Sequence, residues 1–538
     1  VSVSFDGAVV VAEAGMSLFE CAEAAGIAVP TSCFKQGKCR ECLVEVEEGA
    51  EFLTAPAPQE DHLQGRFRLS CRARITRAGA IRCHTLRRGA LRIETEARAL
   101  DLGVPLEPAV RRDGSVILLD GQPVAESEGG VHGLAIDVGT TTVALRLYDL
   151  ETGALLATQS FENPQRFGGS DVMARIRYDG EHAGRLLQRT LIGYLNHAVE
   201  RLPCDGSSIY EVVVAANTTI RDLFLGLDVQ PIGHLPYRSL TEEALRAGRA
   251  ETTAVSVAAR RLRLNTHPDA RVYGLPLVGS HVGADAAACL LATGLAERGE
   301  IAAVLDIGTN TEVLLGNRER IVAASCPAGP AFEGGGVSCG MPALDGAVER
   351  VRIAEGGTLE ITTIGGAPPL GACGSGLVDA LSELLRTGRM NEQGRLAGDA
   401  SRFALTADAR IALSEADINE LAQAKGANVA GLRIAAFAYG IEVHQIQRLF
   451  LAGAFARHLD VEAACRIGLI PDLPRERIAQ VGNASLHGAS LALLSVPRRR
   501  GLEETVKRIQ HVRLEQHPRF FDVFVDGCQF APFGREER

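Results

Sequence analysis

Four cysteines, Cys33, Cys39, Cys42 and Cys71, stand apart from the rest of the sequence by their spacing. Five residues separate the first two, two separate the next pair, and 28 precede the last. Three thiolates on one loop and a distant fourth can wrap a small cluster, because thiolate is the soft ligand that both iron–sulfur clusters and zinc accept. Zinc knuckles usually bring two Cys-x2-Cys pairs, and only one is present. A zinc site and four ordinary buried thiols are the alternatives. Gly37 and its polar neighbours allow backbone N–H groups to point at sulfur. Cys21 reads as core and Cys83 as a spare thiol.

A second chemistry is written twice. Asp137-Val-Gly139-Thr140-Thr141-Thr142 and Asp306-Ile-Gly308-Thr309-Asn310-Thr311 are the same turn, offset by 306 − 137 = 169 residues. Each follows an apolar strand and precedes another. Glycine lets the turn close, and amides with threonine hydroxyls can then meet a phosphate. Asp137 and Asp306 can hold Mg2+ through water. Two such loops can clamp a polyphosphate. A third turn, Gly453-Ala454-Phe455, ends the strand-like run 448–452 and suits an adenosine. Glu312, Glu333 and Asp285 are candidate general bases. The Walker-type Gly-x4-Gly-Lys-Ser/Thr loop is absent, and no Gly-x-Gly-x-x-Gly follows the first strand.

The elements that must position these residues divide near residue 95. Residues 1–95 hold six of the 13 cysteines. They read as two strands in 1–12, a helix over 18–25 and a strand over 43–46. Residues 96–131 read as a linker with one short strand near 115–119. Residues 132–538 alternate strands and helices, with the repeat at 132–160 and 301–325. Helical patterns cover 171–202, 219–227, 285–295, 377–385 and, with breaks, 415–447. Residues 521–525 read as a strand. Asn217 and Asn483 sit where helices should start.

At 538 residues with 46% hydrophobic and 23% charged residues, the chain is an ordinary globular sequence of several domains. The net charge of −10 and the lack of Trp speak against nucleic-acid binding. No apolar run is long enough to span a membrane, and no secretory signal is evident. An odd, irregular set of cysteines points to a reducing cytoplasm. Nine arginines between residues 66 and 92, with no acid among them, read as a solvated face or as a docking patch.

Residues 1–95 resemble a [2Fe–2S] ferredoxin, an α+β β-grasp domain; the five-residue first gap is similar to adrenodoxin-type and fused-reductase variants. That resemblance implies Cys33, Cys39, Cys42 and Cys71 as ligands. The paired phosphate turns and the later glycine turn resemble the actin, sugar-kinase and heat-shock ATPase superfamily, a two-lobed α/β fold built on a duplicated ribonuclease-H-like unit. In its pattern Asp137–Thr142 and Asp306–Thr311 contact phosphate, and Gly453, Ala454 and Phe455 contact adenosine.

Taken in order, the whole chain resembles the ATP-dependent reductive activators of corrinoid proteins. The runs Cys-Pro-Ala-Gly-Pro-Ala-Phe-Glu-Gly-Gly-Gly (326–336), Gly-Ala-Cys-Gly-Ser-Gly-Leu (371–377) and Phe-Leu-Ala-Gly-Ala-Phe-Ala-Arg-His-Leu-Asp (450–460) carry this resemblance. It implies a [2Fe–2S] cluster, ATP and Mg2+. It implies reduction of Co(II) to Co(I) on a corrinoid protein of a methyltransferase system. A low-potential donor (ferredoxin or flavoprotein) and a cytoplasmic homodimer also follow. Some members carry a further middle domain, for which only residues 96–131 would leave room. A small-molecule kinase or a nucleotide-binding redox sensor is the competing reading.

Overall fold

Ser17 opens the first helix because its hydroxyl accepts from the Glu20 amide while Glu20 accepts from the Ser17 amide, a reciprocal cap. That helix, α1 (Leu18–Ala24), buries Leu18, Phe19, Cys21 and Ala22. It packs on a mixed sheet of β1 (Ser2–Phe5), β2 (Ala8–Val11), β3 (Leu43–Glu48), β4 (Phe67–Leu69) and β5 (Ala80–Thr85). The strand order is β2-β1-β5-β3-β4, with β1 and β5 parallel. This is the β-grasp arrangement of a ferredoxin. The computed structural model describes residues 1–33, 35–86, 103, 105–398, 400–453 and 455–535.

The stretch read as a linker with one strand contains three: β6 (Val110–Asp113), β7 (Val116–Leu119) and β8 (Gln122–Glu126) form an antiparallel sheet. Gly114, at φ 61°, closes the first turn. Arg111 and Arg112 fall inside β6.

The chain then builds the same sheet twice. The first contains β9 (His132–Val138), β10 (Thr142–Asp149) and β11 (Leu155–Glu162) as an antiparallel meander. After helices α2 (Val172–Glu181) and α3 (Leu186–Val199), β12 (Ile209–Ala216) returns parallel to β9. The helices α4 (Thr218–Leu225), α5 (Leu240–Arg246) and α6 (Ala259–Leu262) follow, with β13 (Val255–Ala258) and β14 (Arg271–Gly274) completing the order β11-β10-β9-β12-β14-β13.

The second sheet follows α7 (Ala284–Thr293). Its meander is β15 (Ala302–Asp306), β16 (Thr311–Gly316) and β17 (Ile321–Cys326). Between β17 and the returning strand lie β18 (Ala347–Ile353), β19 (Leu359–Thr363), β20 (Gly371–Ala372), α8 (Gly374–Arg386), β21 (Arg402–Ala404), β22 (Ala412–Ser414) and α9 (Glu415–Tyr439). Then β23 (Arg448–Ala452) returns parallel to β15, and α10 (Val461–Arg466) leads to β24 (Ile478–Gly482), parallel to β23. The chain ends through α11 (Ala484–Leu494), α12 (Val496–Lys507), β25 (Gln510–His511) and α13 (Phe520–Gly527). A meander followed by parallel strands, made twice, is the duplicated ribonuclease-H-like pattern of an actin-like ATPase.

Two expectations change here. The stretch expected as a helix with breaks over 415–447 is one unbroken helix to Tyr439, α9, capped by Ser414 and Asp417 and ended by Gly440 at φ 92°, and its one break precedes a short 3-10 turn over Val443–Gln445. Residues 521–525 lie in α13, not in a strand. Phe520 and Phe524, four residues apart, share a helix face and stack at 6.1 Å. A short apolar run carries too little periodicity to separate the two states.

The molecule divides into two compact units, Val1–Gly274 with Leu493–Val496, and Leu275–Ala492 with Pro497–Arg538. The ferredoxin domain and the first duplicated sheet share one continuous apolar core in the first unit. The second unit has its own.

Candidate functional site

The loop between α1 and β3 carries Cys33, Cys39 and Cys42, and Cys71 follows β4; the four form two pairs. Cys42 and Cys71 approach to 3.3 Å between sulfurs. Cys33 and Cys39 hydrogen-bond each other. Burial alone would raise Cys33, but the Cys39 amide and thiol and the amides of Lys38 and Gln36 donate to its sulfur and bring it to about 7. Amides of Glu41 and Ser32 reach Cys39, which burial nevertheless raises. The Cys42 thiol donates to Cys71 and lowers it, with the Gly37 amide assisting. Two cysteine pairs with N–H groups donated to their sulfurs fit a two-iron cluster, each pair serving one iron. Gly37 has φ 71°, the left-handed region that favours glycine, and a Cβ there would come within 2.6 Å of Arg72 Nε.

Cys21 and Cys83 lie apart from this set. Both are fully buried, and Cys83 Sγ reaches the Ser4 carbonyl at 3.6 Å. The arginine stretch divides. Arg68 is buried and paired with Glu60 at 2.9 Å, so it belongs to the fold rather than to a patch. Arg72 donates to the Gln36 carbonyl of the cluster loop at 3.0 Å, and Arg74 to the Gly15 carbonyl at 2.7 Å. Arg87, Arg88 and Arg92 lie outside the described residues, as does Ala454.

The first phosphate turn joins β9 to β10. Asp137 is the sixth residue of β9, and the Gly139 amide donates to the Thr142 carbonyl at 2.8 Å, closing the turn. A Cβ on Gly139 would come within 2.7 Å of that oxygen. Three successive carbonyls are held from one side: Gly139 by Asn163 Nδ2 at 2.8 Å, Thr140 by Arg175 Nη2 at 2.6 Å, and Thr141 by the Asn163 amide at 2.7 Å. Asn217, the N-cap of α4, donates to Thr140 Oγ1 at 3.2 Å.

The second turn joins β15 to β16. Thr309 Oγ1 donates to Glu333 Oε2 at 3.0 Å, and the Gly329 amide donates to the Thr309 carbonyl at 2.8 Å. Gly308 sits beside Glu333, and Asn310 is partly exposed. Thr311 is fully buried with its hydroxyl unpaired. Asp306 ends β15, and Cys289 of α7 donates its thiol to Oδ2 at 3.3 Å. Burial pushes the Asp306 carboxyl up against that bond, and Glu333 adds to the rise. Burial also raises Glu312 well above its ordinary range, with Asp285 and Asp306 contributing. Asp285 lies in the first turn of α7, after the N-cap Gly283, and accepts from the Ala286 amide. Burial and neighbouring carboxylates thus hold the Asp306 and Glu312 carboxyls above their ordinary range, a shift that a cation bound beside them would oppose.

The third turn closes on the second. Gly453, at φ 95°, follows β23, which runs beside β15, and its amide donates to the Gly482 carbonyl at 3.0 Å. Phe455 stacks on Phe332 at 5.7 Å and lies against Gly374, the first residue of α8. Asn483 starts α11 by accepting from the Leu486 amide at 2.8 Å.

Comparison with known proteins follows this geometry. Residues 4–76 match the 2Fe-2S iron-sulfur cluster binding domain, 132–298 the RACo middle region, and 300–536 the C-terminal domain of RACo, the ASKHA domain. A solved structure titled "Reductive activator for corrinoid, iron-sulfur protein" superposes with a TM-score of 0.71, at 28% identity, over 99% of this chain and 98% of that one. This chain belongs to the reductive activators of corrinoid proteins. The corrinoid activation enzyme RamQ of Eubacterium limosum is 28% identical over 94% of this chain and 95% of its own length. A Co(II) methylated amine-specific corrinoid protein reductase of Methanosarcina barkeri is 25% identical over 70% of this chain and 73% of its own.

The match corrects one expectation about this activator. The middle region is present, at 132–298, and is the first duplicated sheet itself. It needs no room in 96–131. Sequence reading of the activator also missed Asn163, Arg175 and Cys289. Arg175 looks like a solvent-facing helix residue, yet it is fully buried behind the first turn. Nothing in the sequence signals this, since Asp171 and Asp179 stand four residues to either side as they would for an ordinary surface pair.

Proposed function

We propose that this chain accepts single electrons from a low-potential donor protein and, with ATP binding and hydrolysis, passes them to a Co(II) corrinoid protein, returning it to Co(I) for methyl transfer. The observation that carries the reading is one chain holding both a paired four-thiol loop and two copies of the phosphate turn. A bound [2Fe–2S] cluster supplies a one-electron carrier, at about −400 mV in plant-type ferredoxins. Cys33 with Cys39, and Cys42 with Cys71, would hold it, and the amides of Gln36, Gly37, Lys38 and Glu41 would stabilise charge on the sulfurs.

ATP cannot raise an electron's energy directly. It can select the conformers in which donor and acceptor meet. Thr140, Thr141, Thr142, Thr309, Asn310 and Thr311, with Gly139 and Gly308, are assigned to phosphate. Gly453, Ala454 and Phe455 are assigned to adenosine. Asp137 and Asp306 would hold Mg2+ through water and orient the attacking water; in ATP hydrolysis the bond from the terminal phosphorus to the ADP oxygen breaks as the bond to water oxygen forms. Glu312 and Glu333 are the carboxylates near Asp306 that can take the water's proton. A cytoplasmic setting belongs to the same reading, as the odd, irregular cysteine set suggests. Among the described residues no helix is long and apolar enough to cross a membrane. A ferredoxin or flavoprotein donor and a homodimeric assembly complete the reading.

The test is optical and anaerobic. Reduced protein, freed of dithionite, is mixed with a Co(II) corrinoid protein encoded nearby, with and without Mg-ATP. The Co(I) band is expected only with ATP. ATP hydrolysis with no Co(I), across several corrinoid partners, would overturn the reading.

A further inference from the structure

One helix of the first unit touches both the nucleotide turn and the cluster-bearing domain. Arg175 and Tyr178 lie three residues apart on α2, so they share a face. Both are buried. Arg175 donates to the Thr140 carbonyl at 2.6 Å. Tyr178 donates its hydroxyl to the His62 carbonyl, in the ferredoxin domain, also at 2.6 Å. The Tyr178 ring is fixed edge-on to Phe167 at 5.4 Å and stacked on His182 at 4.1 Å. Phe167 in turn meets the His62 ring at 5.9 Å.

Further contacts seat the cluster loop on the same subdomain. Glu41 stands between ligand candidates Cys39 and Cys42. It lies 3.2 Å from His197 of α3 and accepts from Ser32 at 2.7 Å. A Cβ on Gly193 of α3 would come within 2.9 Å of the Glu41 side chain, so glycine permits the approach. Arg166 bridges Glu45 of β3, at 3.7 Å, and Glu162 of β11, at 2.9 Å. Glu162 adjoins Asn163, which holds the Gly139 and Thr141 carbonyls.

We infer that Tyr178 is a positioning residue that couples the nucleotide state of the first phosphate turn to the seat of the ferredoxin domain. The inference rests on the proposed function. A shift of the Thr140 carbonyl when phosphate enters the turn moves Arg175. A helix is stiff over one turn, so Tyr178 and the His62 segment move with it. The contact is made through backbone carbonyls at both ends, so it transmits position rather than charge. Coupling of this kind is reciprocal: if nucleotide changes the cluster's reduction, reduction changes nucleotide affinity by the same factor.

The experiment uses the full-length, cluster-loaded protein and magnesium β,γ-imido-ATP. Dissociation constants are measured in the oxidised and dithionite-reduced states. The parent is expected to show a ratio of about fivefold or more, the lower end of typical couplings. A tenfold ratio equals a shift of about 59 mV in a one-electron midpoint potential, which redox titration reads independently. Tyr178→Phe keeps both ring contacts and is expected to bring the ratio within twofold of unity, leaving the cluster spectrum and the oxidised-state affinity unchanged. Should that variant fail to assemble its cluster, Arg166→Gln, at the edge of the seat, is expected to lower the ratio as well. A parental ratio in either cluster-loaded variant, or a parent ratio of one, overturns the inference while ATP-dependent Co(I) formation stands. A parent that binds no nucleotide overturns the functional reading itself.

Discussion

Gly453 approaches Asp306 so closely that a Cβ on it would stand 3.1 Å from the Asp306 carboxylate and 2.5 Å from the Ile307 carbonyl. The third turn and the second phosphate turn are therefore one packed structure, held by the parallel pairing of β15 and β23. Gly453→Ala adds that Cβ at φ 95°, where an L-residue is strained by about 1–3 kcal/mol. The expected outcome is at least a tenfold weaker Mg-ATP affinity by calorimetry, with the cluster absorbance unchanged. Parental affinity would separate this turn from the nucleotide.

Asp306→Asn tests the carboxylate itself. The amide keeps the shape and removes the charge that Cys289, Glu312 and Glu333 surround. Removing a charge aimed at a reacting phosphate typically costs about 100-fold or more in rate. ATP-dependent Co(I) formation is expected to fall by that factor while the cluster spectrum stays as in the parent. Activation at the parental rate means that the phosphate assignment is wrong.

Much of this site could be read from sequence because it is local. The Asp-x-Gly-Thr turns declare themselves by residue type, and the cysteine spacing needs no tertiary knowledge. Residues that act across the fold leave no such mark. Arg175 reaches back 35 positions to Thr140, and Asn163 reaches back 24 to Gly139. Nothing near either residue in the chain announces the carbonyl it holds. The α13 error has a different origin: Phe-Phe-Asp-Val-Phe-Val fits a strand by composition, and only packing against α9 decides for helix.

The ligand set predicts a contrast between two buried cysteines. Cys71→Ala removes one member of the 3.3 Å pair with Cys42 and is expected to abolish the visible cluster bands and about half or more of the bound iron. Cys83→Ala, on β5 and bonded to Ser4, is expected to keep iron, sulfide and spectrum at the parental level, with a loss of about 1 kcal/mol from the small cavity. Iron and sulfide analysis after anaerobic reconstitution checks both. Loss of the cluster from the Cys83 variant alone would reassign the fourth ligand.

Lys425 gives the second unit a pH signature. It lies buried in α9, with its ammonium on the carbonyls of Gly527, Gln529 at 2.6 Å and Gly468 at 3.5 Å, so it ties the C-terminal segment to the long helix. Burial lowers its pKa to about 7 from an ordinary 10.5; Cys528 opposes this and Arg433 adds to it. Below pH 7 folded and unfolded chains both carry the proton, and the cost of burying the charge is fully present. Between about 7 and 10.5 the unfolded chain binds a proton that the folded chain has released, so stability rises with pH, by up to about 1.4 kcal/mol per pH unit. Lys425→Met retains the length of the side chain without a titrating group. Thermal unfolding of parent and variant from pH 7 to 10 is expected to show a rising Tm contribution in the parent that the variant lacks. Parallel curves would mean that the three carbonyls hold Lys425 protonated throughout, and that the C-terminal tie is a permanent charge.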